Sequence, residues 1–255
     1  MLDIVATGAE ARDVLGHSAG SVGAATLTHN AKNGVTAGVR VVTAGDRTAV
    51  LKVLTRAKGT TARWAASDDP RHWNYWLREA EVYDSGLAQS WRPYGIRAPR
   101  LLARVERADG DVALWLERVA GEAGTGWPLT RYVEHARRLG AAQGAAPVPD
   151  EPWAFAGDGA VGEDLGNYLP DSVFDLFVPA ADLPGCAARA YDAYLHGLRG
   201  SGSRVDERLV RLGVCASVVK YDWLAAAMLA FLAGWADEAR VLAPQVGFPE
   251  EPRGG

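Results

Sequence analysis

A lysine in the middle of an apolar β run is the feature that most limits what this chain can fold into. Residues 34–54 read GVTAGVRVVTAGDRTAVLKVL. The pattern predicts two antiparallel strands, Val39–Thr43 and Thr48–Leu54, joined at Gly45-Asp46, where Gly and Asp supply the backbone shapes of a tight turn. Lys52 interrupts the run Val50-Leu51-Lys52-Val53-Leu54, and burying an ammonium without a partner is costly. Lysine occurs only four times in an arginine-rich chain, so this one is not a product of general composition. Two readings stand side by side. Either the strand is an edge and the side chain reaches out to water, or the ammonium meets an anion, a carboxylate or a phosphate.

The next segment supplies carboxylates. Asp69-Pro70 predicts a helix start, with Asp as N-cap and Pro at the first helical position. Trp73, Trp76, Leu77, Ala80, Tyr83 and Leu87 then recur at helical spacing and form an apolar stripe. Glu79 flanks that stripe on one side and Glu81 on the other. Periodicity does not choose between them, and a solvated flank is the common fate of a helical glutamate. A strand lysine paired with a glutamate of the following helix is the phosphate-positioning device of kinase-like folds.

Several blocks in order carry a wider resemblance. NAKNGVTAG (30–38), AVLKVL (49–54), DDPRHWNY (68–75), REAEVY (78–83) and APRLL (98–102) resemble the N-terminal lobe of aminoglycoside phosphotransferase family proteins. VALWLERV (112–119) is similar to that family's hinge strand, and WAFAGDGAVGEDLGN (153–167) to the stretch following its metal-binding aspartate. The resemblance implies ATP as cofactor and phosphoryl transfer to a small hydroxylated molecule. It implies that Lys52 contacts the phosphates with Glu79 as its partner. It places Asn33, Gly34 and Gly38 in a loop over the phosphates, and Glu117 and Val119 in the hinge that holds the adenine. The expected fold is α+β and kinase-like. Residues 1–119 form a β-rich lobe with one helix, 120–126 a hinge or linker around the glycine-rich 121–126, 127–245 a shortened helical lobe, and 246–255 a tail.

One departure bears on chemistry. Gly144–Pro152 holds three prolines in nine residues, which forbids a continuing helix. The resembled family carries further helices there, then a His-x-Asp catalytic loop, then a strand ending in Asp-Trp. No His-x-Asp occurs in this chain, and Pro152 stands where the metal-binding Asp would precede Trp153. Proline neither coordinates Mg²⁺ nor orients a hydroxyl, so the family's metal lacks its ligand and no catalytic residue is assigned. Asp150 and Glu151 lie on a proline-stiffened loop. Asp158 and Asp164 are the remaining acidic candidates, although capping a turn or helix start explains both. The alternative function is a degenerate protein that binds nucleotide or a small molecule without chemistry.

Composition sets the outer limits. A net charge of −4 gives no electrostatic case for nucleic acid or an anionic membrane. Cys186 and Cys215 match no metal or redox spacing and read as small core residues. His135 reads as a helix-surface residue and His29 as a strand-end residue. The first residues, with Asp3, Glu10 and Asp13, lack the order of a signal peptide, so the expected location is cytoplasmic. A short helix is expected at Ala9–Leu15 and strands at Ala24–His29, Arg100–Glu106 and Asp111–Val119. Further helices are expected at Leu129–Gln143, Ser172–Phe177, Ala187–Gly197 and within Asp206–Glu238. The run Trp223–Trp235 is too short to span a membrane. Without the family's extra helices, an exposed face of the second lobe is available for self-association.

Overall fold

The structure, a computed structural model, describes residues 8–16, 21–27, 29, 33–60, 64–121, 127–145, 160–174 and 177–219. They fall into two compact units, one holding the described residues through Gly121 and the other those from Trp127 onward. The expectations for Asp150, Glu151, Pro152, Asp158 and Trp223–Trp235 lie outside the described residues.

The first unit is built on a five-stranded antiparallel sheet in the order β1-β2-β3-β5-β4. Its strands are β1 (Val22–Thr26), β2 (Thr36–Ala44), β3 (Arg47–Leu54), β4 (Leu101–Glu106) and β5 (Val112–Glu117). Ala44 pairs with Arg47, so Gly45 and Asp46 alone make the turn, and Gly45 takes the positive φ of 62° that the turn requires. Helix α1 (Gly8–Leu15) packs Ala11 and Leu15 against one sheet face, among Val42, Ala49, Leu51, Val53, Ala113 and Trp115. The opposite face collects Leu54, Val112, Leu114 and Leu116 with Tyr75, Trp76 and Ala80. Because β5 is internal to the sheet, between β3 and β4, and covered on both faces, Val112–Leu116 is buried throughout. β3 is likewise internal, paired with β2 and β5, which removes the edge-strand reading of Lys52.

Helix α2 runs Arg78–Asp84, followed by the short α3 (Leu87–Ser90). The cap signals at Asp69-Pro70 do not start it. The Asp69 carboxylate accepts the Arg71 N–H at 2.9 Å, closing a local turn, and Ser67 and Tyr75 form a bridge that folds the intervening chain back on itself. The buried Asn74 amide donates to the carbonyls of Trp64 and Ala65. Such short-range side-chain bonds compete with the helical ladder, and the helix begins only at Arg78. Trp73, expected in the apolar stripe, is 40% exposed. α1 is the short helix expected at Ala9–Leu15, and α3 adds one helix beyond those expected in this unit.

The second unit contains α4 (Leu129–Ala145), α5 (Glu163–Phe174), α6 (Leu183–Gly200) and α7 (Glu207–Val219). α5 begins nine residues before the helix expected at Ser172, because Gly162, at a φ of +98°, turns the chain and Glu163 and Asp164 occupy the first turn. The helices pack as α4 on α6 and α5 on α7, and glycines set both crossings. An added Cβ at Gly140 would stand 2.1 Å from the Tyr194 carbonyl, and one at Gly197 2.0 Å from the Arg137 carbonyl. Across the other pair, Gly166 meets the Val214 carbonyl and Gly213 the Val161 carbonyl, at 2.5 and 2.4 Å on the same measure. The buried Tyr194 hydroxyl donates to Gln143 of α4 and accepts the Gly162 N–H at 3.0 Å, tying three helices together. Cys186 is buried as expected of a core residue, whereas Cys215 is exposed on α7. Among the described residues, no helix is long and apolar enough to cross a membrane.

Candidate functional site

Lys52 sits on the α2 side of the sheet, opposite Leu114 in the β3–β5 register. Burying Ala80 against that face puts Glu79 on one shoulder of α2 and Glu81 on the other. The structure separates the two glutamates. Glu79 forms an ion pair with the Lys52 ammonium, at side-chain exposures of 32% and 25%. Glu81 instead accepts the Tyr75 hydroxyl at 2.6 Å, and burial together with that carboxylate raises the Tyr75 phenol above its ordinary range. Tyr83, one turn along from Glu79, is pushed up to about 12 by burial and by the charges of Glu79 and Glu117. Lys52, Glu79, Tyr83 and Glu117 thus share one electrostatic neighbourhood at the junction of β3, β5 and α2.

The hinge candidates are placed differently from each other. The Glu117 carboxylate is held by Arg97 and by Arg100, the latter at 3.5 Å, and its N–H donates to the Arg100 carbonyl at 2.9 Å. Val119 is 48% exposed beyond the end of β5.

The loop candidates bond to a separate set of groups. The Asn33 side chain accepts the Val35 N–H at 3.1 Å. Gly34 donates its N–H to the Trp64 carbonyl at 2.9 Å, and a Cβ there would lie 2.2 Å from the same oxygen. Glycine at position 34 is therefore demanded by close approach of the protein's own backbone. Gly38 is buried at the register irregularity of β2, opposite Val53. Sequence reasoning passed over Lys58, whose ammonium donates to the carbonyls of Asn33 (3.1 Å) and Thr36 (2.9 Å). Its signal was present: a second lysine six residues after Lys52, in a chain with four.

In the second unit, Asp164 is exposed in the first turn of α5 and accepts from the Gln143 amide, the arrangement expected of a carboxylate at a helix start. His29 bonds back to the Leu27 carbonyl at 3.0 Å, just past β1. His135 is no surface residue. Its ring lies 5.4 Å from that of Tyr168 and 6.5 Å from that of Trp127, and burial, aided by the Arg138 charge, lowers its pKa from 6.5. A histidine with a depressed folded pKa binds fewer protons folded than unfolded. Its contribution to stability is complete above about pH 6.5 and is lost as pH falls. Thermal melts of the second unit's transition should therefore show a drop in midpoint between about pH 7.5 and about pH 5.5, smaller in His135→Phe. Equal drops in both proteins would refute the assignment.

Comparison with known proteins adds no relative: no family model, no curated protein and no solved structure matches the chain.

Proposed function

We propose that the first unit is the phosphate-holding lobe of a kinase-like nucleotide-binding protein similar to aminoglycoside phosphotransferases. The observation that carries this reading is the ion pair between Lys52 of β3 and Glu79 of α2. Kinases use that pairing, a third-strand lysine with a glutamate on the following helix, to position nucleotide phosphates. The residues fit the phosphate end of ATP. An ammonium fixed by one carboxylate and still partly exposed has N–H donors left over for a phosphoryl oxygen. Glu79 orients Lys52, and the Arg97 and Arg100 contacts orient Glu117 at the start of the hinge segment. ATP, when bound, supplies a transferable phosphoryl group, and the acceptor implied by the resemblance is a small hydroxylated molecule in the cytoplasm.

A second reading, binding without chemistry, is favoured by one observation in the sequence. The chain has no His-x-Asp, and proline replaces the metal-binding aspartate at position 152. The residues do not fit Mg²⁺ in the family's manner, and no transfer step is assigned to them.

Calorimetric titration with ATP, together with a coupled ATPase assay over an aminoglycoside panel, tests both readings. Wild type should bind ATP. Lys52→Ala should weaken binding by about 10–100-fold, the worth of one charge-assisted hydrogen bond, with Glu81→Gln near wild type. Turnover should stay at background. Wild type that ignores ATP would end the first reading, and turnover abolished by Lys52→Ala would end the second.

A further inference from the structure

We propose that Lys58 is a second phosphate-holding cation, its ammonium set at the Asn33–Thr36 turn to bind a phosphoryl oxygen. The proposal rests on the phosphate-holding reading of Lys52 for the kind of ligand, and on separate geometry for the site.

Lys58 lies four residues beyond the end of β3. Its ammonium donates to the carbonyls of Asn33 at 3.1 Å and Thr36 at 2.9 Å. Two of three donors are thereby used and one remains. Carbonyl dipoles orient a cation but do not neutralise it. Lys52, the other lysine described in this unit, has Glu79; Lys58 has no carboxylate partner among the described residues. Partial burial without a compensating charge lowers its pKa. An anion is the missing component of such an arrangement.

The turn itself directs the same choice of ligand contact. Its Gly34 N–H is spent on the Trp64 carbonyl and its Val35 N–H on the Asn33 side chain. Those amides are not available to cradle a phosphate, so an anion arriving at the turn meets the Lys58 ammonium instead. The turn is also held in advance of binding. Thr55 donates its N–H to the Val35 carbonyl at 3.0 Å, and the space a side chain would need at Gly34 is filled by Trp64. A charged donor on a prefixed turn binds without an added ordering cost.

Metal-free calorimetric titrations with tripolyphosphate, ATP and adenosine test this, using wild type, Lys58→Gln, Lys58→Met and Lys52→Ala. Lys58→Gln keeps N–H donors for the two carbonyls but carries no charge, so it guards against a variant that merely loosens the turn. Both Lys58 variants should bind tripolyphosphate and ATP about tenfold or more weakly, with adenosine unchanged. If Lys58→Gln binds polyphosphate like wild type, Lys58 is a turn clamp only and the inference falls, while weakening by Lys52→Ala would leave the reading of Lys52 intact. Polyphosphate binding that depends on Lys58 but not on Lys52 would uphold this inference and remove that reading. A wild type that binds neither polyphosphate nor ATP would overturn both.

Discussion

Glu10→Ala is expected to cost the sheet unit about 3–5 kcal/mol, the loss typical of breaking one side of a buried ion pair. The Glu10 and Arg107 side chains are only 10% and 11% exposed and pair at 2.9 Å. The same carboxylate accepts the indole N–H of Trp115 at 2.8 Å, on a tryptophan with no exposed surface. Alanine would therefore take the carboxylate away from a guanidinium and an indole donor together, and a buried donor left unmade carries most of its desolvation penalty. It would also free one end of α1, whose Ala11 and Leu15 cover a sheet face. Glu10→Gln keeps an acceptor for Trp115 and should cost less. Urea-dependent hydrogen exchange of β2, β3 and β5 amides measures the unit on its own, which matters in a chain of two units where one global transition is not assured. A loss below about 1 kcal/mol would place Glu10 among ordinary surface residues.

That network was beyond the reach of sequence pattern, since Glu10 lies 97 residues from Arg107 and 105 from Trp115. The hairpin was legible because its information is local: alternation, a two-residue turn, and a lysine whose oddity survives without knowledge of its neighbours. Its partner was half legible. Helical spacing put both Glu79 and Glu81 beside the stripe, and the decision required knowing that the Tyr75 hydroxyl would take Glu81. The start of α2 was misread because Asp69 and Pro70 carry the chemistry of an N-cap, yet Asp69 spends its carboxylate on a turn and Asn74 commits to two upstream carbonyls. His135 was misplaced because the aromatic rings that bury it come from Trp127 outside its helix and Tyr168 on α5. The glycines of the second unit were the least readable. Sequence spacing hints at them, with Gly144 four positions after Gly140 and Gly166 four positions after Gly162. A glycine in a helix otherwise reads only as a weak spot.

Gly197→Ala reverses that local expectation. On an exposed helix the change would gain up to about 1 kcal/mol, since alanine is the better helix former. Here the added methyl would meet the Arg137 carbonyl oxygen at 2.0 Å and the Ala141 nitrogen at 2.7 Å. Both obstacles are backbone of α4, so no side-chain rotation relieves them. Gly140 stands in the same position on the facing helix, where an added Cβ would lie 2.1 Å from the Tyr194 carbonyl oxygen, so both helices rely on glycine at this crossing. The helices must separate, which strains the Tyr194 hydroxyl bonds to Gln143 and Gly162 as well. Overpacking of this kind costs about 1–3 kcal/mol, occasionally more, and the backbone contact on both sides puts Gly197→Ala at or above the top of that range. Gly185→Ala, in the first turn of α6 with nothing within 4 Å of its Cβ, should be neutral or slightly stabilising. The comparison is made by amide exchange across α4 and α6. Equal protection in Gly197→Ala and wild type would show that the crossing has slack, and that its glycines are not what holds α4 against α6.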